Sequence, residues 1–158
     1  MRQIFTAFLK RAESGQSLVE TALVVPILVL LLMGVIEFGY LGYYAIAVQN
    51  AAHAGAVYGM YNVSNAGSTS GIQAAARSEV PELGTGLTVT SNVKYVCQAA
   101  ISGTQYASPT DAATACGASP AYTAIIVVNT SATVKPPIDA PGSTGYILTG
   151  NSAIEVQQ

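Results

Sequence analysis

The chain has no tryptophan, one histidine and two cysteines, and only 9% of its 158 residues are charged. An average soluble protein carries about 25% charged residues, so the composition disfavours a cytosolic enzyme. Six Lys and Arg stand against 8 Asp and Glu, for a formal charge of −2. That balance gives no electrostatic footprint for nucleic acid. One histidine and two cysteines hardly supply a zinc site of the usual His/Cys type. What the chain does have is aliphatic: 51% of it is hydrophobic, with only 3 Phe. The length suits one domain plus an anchor, and the composition favours a membrane-anchored protein.

From Thr21 to Ile36 run 16 residues without a charge, centred on Ala22-Leu-Val-Val-Pro-Ile-Leu-Val-Leu-Leu-Leu-Met33. A bilayer needs about 20 predominantly apolar helical residues. The run reaches that length by taking in Leu18 and Val19 before it and Phe38 to Tyr40 after it. Arg2, Lys10 and Arg11 precede it, and the next basic residue is Arg77. The positive-inside rule then places the N-terminus in the cytoplasm and residues beyond about 40 outside.

Three readings compete for this segment. Ala45-Ile46-Ala47 mimics a signal-peptide cleavage site, but it lies well beyond the apolar run, with Glu37 between. A plain uncleaved anchor is the second. The third is a leader cut ahead of the apolar run, and it rests on Ser14-Gly15-Gln16-Ser17-Leu18-Val19-Glu20. Here a short basic leader ends in glycine, and the fifth residue after it is a glutamate.

The stretch Gly15-Gln-Ser-Leu-Val-Glu20, followed by Ala22-Leu-Val-Val-Pro26, resembles the start of TadE-like proteins of the tight-adherence pilus system. Gly34-Val-Ile-Glu37-Phe-Gly39 and Gln49-Asn-Ala-Ala-His-Ala-Gly-Ala56 extend the likeness, with His53 where such proteins often carry arginine. Beyond about residue 60 the resemblance is a loose pattern of strands ending in Leu148-Thr-Gly-Asn-Ser-Ala-Ile-Glu-Val156. The resemblance implies a minor pilin or pseudopilin, processed by a prepilin peptidase between Gly15 and Gln16.

Glycine at position 15 lets a peptidase cleft approach the backbone closely, and the expectation is a scissile bond lying outside the helix. Cleavage removes the three basic leader residues and creates an amine on Gln16. Glu20 is four residues on, on the same helix face, and pairs with that amine in one chain or, as the resemblance implies for assembly and axial register, in a neighbouring subunit. A carboxylate deep in a bilayer costs about 2.5–3.5 kcal/mol, so a partner is expected. The plainer alternative has Glu20 reaching headgroups. Glu37 lies roughly 26 Å further along a helix, where the outer interface explains it. Pro26 is expected to kink the helix.

Helix is predicted to continue to about Tyr61. Ala47, Ala51, Gly55 and Gly59 recur every four residues, a small-residue ridge that admits close backbone approach. The ridge packs either on the chain's own outer domain or on neighbouring subunits. Complete burial on its own sheet favours an anchored domain, and exposure favours polymerisation. Tyr40, Tyr43, Tyr44, Tyr58 and Tyr61 suit an interfacial belt in part. His53 falls among alanines, where packing or solvent contact is expected rather than catalysis.

Residues 62–71 form a polar break. Ser70 with Gln73 fits a capping box, giving one short helix from Ile72 to about Glu79, ended by Pro81. The period then changes to two. Leu87, Val89, Val93, Tyr95 and Cys97 share one strand face; Tyr122, Ala124, Ile126, Val128, Ala132 and Val134 share another; Tyr146, Leu148, Ile154 and Val156 a third. An antiparallel meander with Pro/Gly turns at 136–145 follows, its apolar face covered by the outer part of the long helix. Cys97 and Cys116 fall outside the membrane, where a bridge closing 98–115 is permitted; two free thiols are the alternative. Residues 98–121 read as low-complexity loop.

The expected architecture is therefore α+β and pilin-like: a leader over 1–15, a long helix over 16–61 that spans the membrane at about 18–40, and an outer domain over 62–158. Asn62-Val-Ser64 and Asn129-Thr-Ser131 match the glycosylation sequon, each short enough to arise by chance. No phosphate loop, metal cluster or catalytic triad emerges, and no enzyme, cofactor or metal is expected. The resemblance implies a bacterial inner-membrane protein with its outer domain beyond the membrane or on a surface pilus. It also implies partners: the peptidase, other pilins in a homo- or hetero-polymeric filament, and an assembly ATPase with its platform proteins. A major filament subunit and an anchored binding domain that never polymerises, with 98–115 as its contact surface, are the alternatives.

Overall fold

The structure is a computed structural model that describes residues 2–100, 103–117, 121–138 and 144–157, with side chains from Ser17 onward apart from Ala100. It forms two compact units, Met1–Tyr40 and Leu41–Gln158. Helix α1, Arg2–Met60, supplies the first unit and contributes its last part to the second. The helix begins at Arg2, so the Gly15–Gln16 bond lies within helical backbone and not outside it, contrary to expectation. The leader explains this: Ala7, Leu9, Lys10, Arg11, Ala12 and Glu13 include the strongest helix formers, and neither Gly nor Pro interrupts them. Helical backbone also persists through Pro26.

In the second unit α1 is followed by α2 (Val63–Gly67), α3 (Thr69–Glu79), β1 (Thr88–Cys97), β2 (Gln105–Tyr106), α4 (Pro109–Cys116), β3 (Tyr122–Val134) and β4 (Tyr146–Glu155). The strands form one antiparallel sheet in the order β2-β1-β3-β4. The three long strands are thus the expected meander, with β2 added at the β1 edge. The expected α+β arrangement, a long helix against a small antiparallel sheet, is present.

The short helices differ from expectation in number and in cap. Three are described instead of one, and part of the polar break is itself helical because the Asn62 side chain accepts from the Asn65 amide at 2.7 Å. Helix α3 is capped by Ser68, whose hydroxyl accepts from the Gly71 amide at 3.3 Å. The Ser70–Gln73 capping box does not form. Gln73 instead donates from Nε2 to the Val89 carbonyl at 3.3 Å, tying α3 to the edge of β1.

The core lies between one sheet face and the last turns of α1 together with α3. Val48, Ala51, Ala52, Ala56, Ile72, Ala76, Leu87, Ile126 and Val128 are buried there. Fully burying one Val, Leu or Ile side chain stabilises by about 1.5–3 kcal/mol. Toward the end of β1 the opposite face is buried as well: Val96, Thr123 and Ile125 lie on it, and α4 packs against β1 and β3 at that end. Residues 103–117 are thereby more ordered than a low-complexity loop: Ser108 caps α4 by accepting from the Asp111 amide at 3.1 Å, and Ala112 is buried. The Pro/Gly turn expected at 136–145 lies partly outside the described residues.

Candidate membrane anchor and assembly segment

In the first unit the large aliphatic residues of the helix from Leu18 to Ile36 are exposed. Leu18, Leu23, Leu30 and Val35 are 68–71% exposed, and at about 100° per residue they point to different sides of the helix. A helix apolar all round and covered by nothing is a membrane span or a defect. Length and composition allow this one to cross a bilayer near the N-terminus, and no residue of its most apolar stretch is buried within the chain. Thr21 is reconciled with that surrounding by a local bond, its hydroxyl donating to the Ser17 backbone carbonyl at 2.9 Å. Glu20 is exposed on the same segment, one turn from Gln16. The Gln16 side chain lies outside what the structure describes.

The second unit shows where the small-residue ridge goes. Ala51, Gly55 and Gly59 are buried, and Ala47 is half-buried. A Cβ on Gly55 would stand 3.1 Å from Cγ2 of Ile72 and 3.2 Å from Cγ1 of Val128; one on Gly59 would stand 3.0 Å from Cγ1 of Ile126. Three of the four ridge positions are therefore used within the chain, seating α1 on β3 and on α3. His53, on another side of the helix, is exposed.

Several residues that fix this seat are absent from any sequence reading based on apolar alternation. Thr130 sits among the inward residues of β3, 2% exposed, and its hydroxyl donates to the Val48 carbonyl of α1 at 2.8 Å. The Gln49 side chain meets the outer edge of β4 at two points: Nε2 donates to the Asn151 carbonyl at 2.7 Å, and Oε1 accepts from the Asn151 amide at 3.1 Å. It imitates one residue of a neighbouring strand. Gly150 sits between these contacts, so close that a Cβ there would lie 2.6 Å from the Val48 carbonyl oxygen. The signal for it was a lone glycine inside a strand pattern, which marks close backbone approach. The chain end is fastened the same way, the Gln157 amide donating to the Met60 carbonyl at 2.8 Å. That carbonyl is one of the last in α1, which the helix itself leaves unbonded.

Cys97 and Cys116 form a disulfide, with Cα atoms 5.4 Å apart. The bridge ties the end of α4 to the end of β1. No cluster of His, Cys, Asp and Glu with metal-ligating geometry occurs among the described residues.

No curated protein and no solved structure matches the chain. A family model does match part of it, over residues 15–57. The match begins at the glycine expected to precede cleavage, takes in Glu20 and the whole apolar span, and ends inside the buried ridge. Over that stretch, from anchor to seat, the chain is similar to the family described as TadE-like protein.

Proposed function

We propose that the chain is a membrane-anchored component of a tight-adherence pilus, acting as a minor pilin or pseudopilin. The observation that carries this reading is the TadE-like match over 15–57, since it covers Gly15, Gln16 and Glu20 together. In this reading a prepilin peptidase cuts between Gly15 and Gln16, and the 3 basic and 7 acidic residues left give the mature chain a net charge of −4. The cut bond is helical beforehand, so the peptidase unwinds a turn to reach it, and the glycine lowers the cost of doing so. The new amine on Gln16 neutralises Glu20, within the chain or from a neighbouring subunit. Processing thereby couples to assembly, because the uncleaved chain has no cation at that point. An assembly ATPase and its platform proteins move the processed subunit, and the inner membrane holds it with the leader on the cytoplasmic side.

One observation favours a second reading, an anchored domain that never polymerises. Burial of the ridge on the chain's own sheet removes the small-residue surface that neighbouring subunits would use. Polymerisation then relies on other sides of α1, where Tyr43 and Ile46 are exposed.

Mass spectrometry of the N-terminus, from native membranes and from sheared surface material, separates the two. A start at Gln16 in both fractions supports a pilin, and Gln16 in membranes alone supports a pseudopilin that stays in the envelope. An intact leader in cells that possess the peptidase overturns the proposal and leaves the anchored domain.

A further inference from the structure

The outer face of the sheet, opposite α1, is covered by α4 at only one end. At the other end two cross-strand rows stand in register: Thr88, Ser131 and Thr149, then Thr90, Asn129 and Asn151. Together they line a groove of about 400 Å³. That falls in the range of small-ligand sites, roughly 300–1,000 Å³. We propose that this groove binds a neutral carbohydrate.

The lining is polar and carries no charge. The nearest charged residues along the strands are Lys94 on β1 and Glu155 on β4, four residues beyond the second row, and Lys135, four residues beyond Ser131 just past the end of β3, each about 13 Å away along the strands. Phosphate, carboxylate and ammonium groups therefore find no counter-ion there. No lining residue carries a large apolar side chain, so a lipid tail finds only the methyl and methylene groups of short polar residues. An added peptide strand is disfavoured for a separate reason: strand addition needs a free sheet edge, and at Asn151 the β4 edge is already occupied by Gln49. What remains is a ligand that both donates and accepts hydrogen bonds at close intervals, which describes the hydroxyls of a sugar.

The groove is also organised before any ligand arrives. Gln49 fixes the Asn151 backbone through both its N–H and its carbonyl, and the Asn151 side-chain amide donates from Nδ2 to Oδ1 of Asn129 at 2.6 Å. That bond orients both amides. It leaves Nδ2 of Asn129 with its donors, and Oδ1 of Asn151 with its acceptor capacity, available to a ligand. The flanking hydroxyls of Thr88, Ser131 and Thr149 act as either donor or acceptor. A rigid sheet holds these groups, so little side-chain ordering is lost on binding. Because no aromatic ring lines the groove to stack on a sugar face, affinity is expected at about 1 mM.

The test uses the full chain, labelled with nitrogen-15, in phosphocholine micelles, since many common detergents carry sugar headgroups. Cellotetraose, maltotetraose and mannotetraose are titrated in turn, with an oligogalacturonate as the acidic control. The proposal expects saturable shifts of the Asn129 and Asn151 side-chain amides with at least one neutral sugar and none with the acidic one. Asn129 is exposed, so Asn129→Ala should weaken that binding roughly tenfold while the unfolding midpoint stays unchanged; Thr149→Val provides an independent second variant. Absence of saturable shifts with all three sugars, equal binding of the acidic one, or binding indifferent to both variants would overturn it. The outcome does not depend on whether the chain is cleaved after Gly15.

Discussion

Gly150→Ala tests how tightly α1 is seated on the sheet. The added methyl would lie 2.6 Å from the Val48 carbonyl oxygen, 2.7 Å from the Thr130 hydroxyl and 2.8 Å from Cα of Gln49. Two of those atoms belong to helix backbone and cannot rotate away. Restoring a carbon–carbon separation of about 3.5 Å to Gln49 moves β4 outward by ~0.7 Å. That retreat would stretch both Gln49–Asn151 bonds, now 2.7 and 3.1 Å, toward or past the limit of a useful hydrogen bond. Overpacking of this kind costs about 1–3 kcal/mol, and each weakened hydrogen bond about 1 kcal/mol. Stiffening the unfolded chain returns only about 0.4–1 kcal/mol. A net loss of about 2–4.5 kcal/mol results, which lowers the midpoint of a unit this size by roughly 10–15 °C. The assay is thermal unfolding of the full chain in micelles by circular dichroism, with hydrogen exchange of β4 as the local readout. Gly86→Ala is the control, since a Cβ there meets nothing within 4 Å and its φ is not positive. It should be neutral or slightly stabilising. If Gly150→Ala unfolds at the same temperature as that control, the close seat of α1 on β4 is wrong.

The bridge between Cys97 and Cys116 closes a loop across a sequence separation of 19. In the chain-entropy treatment, Cys97→Ser with Cys116→Ser costs about 3 kcal/mol, and exchange should accelerate in α4 before it does in β3; an unchanged midpoint would refute this. Gly71 stands where Tyr58 crosses the first turn of α3, leaving no room for a Cβ beside its ring. Gly71→Ala should therefore lower stability by about 1–2 kcal/mol, and Tyr58→Leu should relieve most of that loss in a double-mutant cycle. Strict additivity of the two changes would remove the contact from consideration.

The strands were legible because period two is a strong signal when one face is buried. β1, β3 and β4 fall within a residue or two of where Val89, Ile126 and Ile154 place them. The candidate span was legible because sixteen uncharged residues follow three basic ones and the helix there is long and apolar enough to cross a bilayer. What alternation hides is polar matter placed inward for a partner distant in sequence. Thr130 interrupts an apolar face, and its reason, the carbonyl of Val48, lies 82 residues away. Gln49 carries no local sign of its role, yet its amide completes the edge of a strand 102 residues later. Local cues misled at α3, where Ser70 and Gln73 have capping-box spacing. Ser68 took the cap and left Gln73 free to reach β1. The cover over Val96 and Ile125 was missed because α4 lies in a segment rich in Ala, Ser and Thr, whose composition resembles a loop. Among the site residues, the sequence alone left the ridge's partner and the state of the cysteines open.

The ridge also carries a lesson about reading function from spacing. Small residues every four positions state that another backbone comes close, but not whose. Here the close surfaces are the side chains of Ile126 and Val128 on β3 and Ile72 on α3, so the repeat serves folding first. The same helix meets two different demands along its length. Through the apolar span it presents large aliphatic side chains on every side and relies on surroundings outside the chain. From Val48 to Gly59 it narrows to Ala and Gly on one side and is held by the sheet. Any association between copies that retains this fold must therefore use the apolar span, the exposed sides of α1 or the surface of the second unit. A helix that gave up its ridge to a neighbour would first have to release Thr130 from Val48 and Gln49 from Asn151. Those two contacts, together with the buried ridge, commit α1 to its own domain.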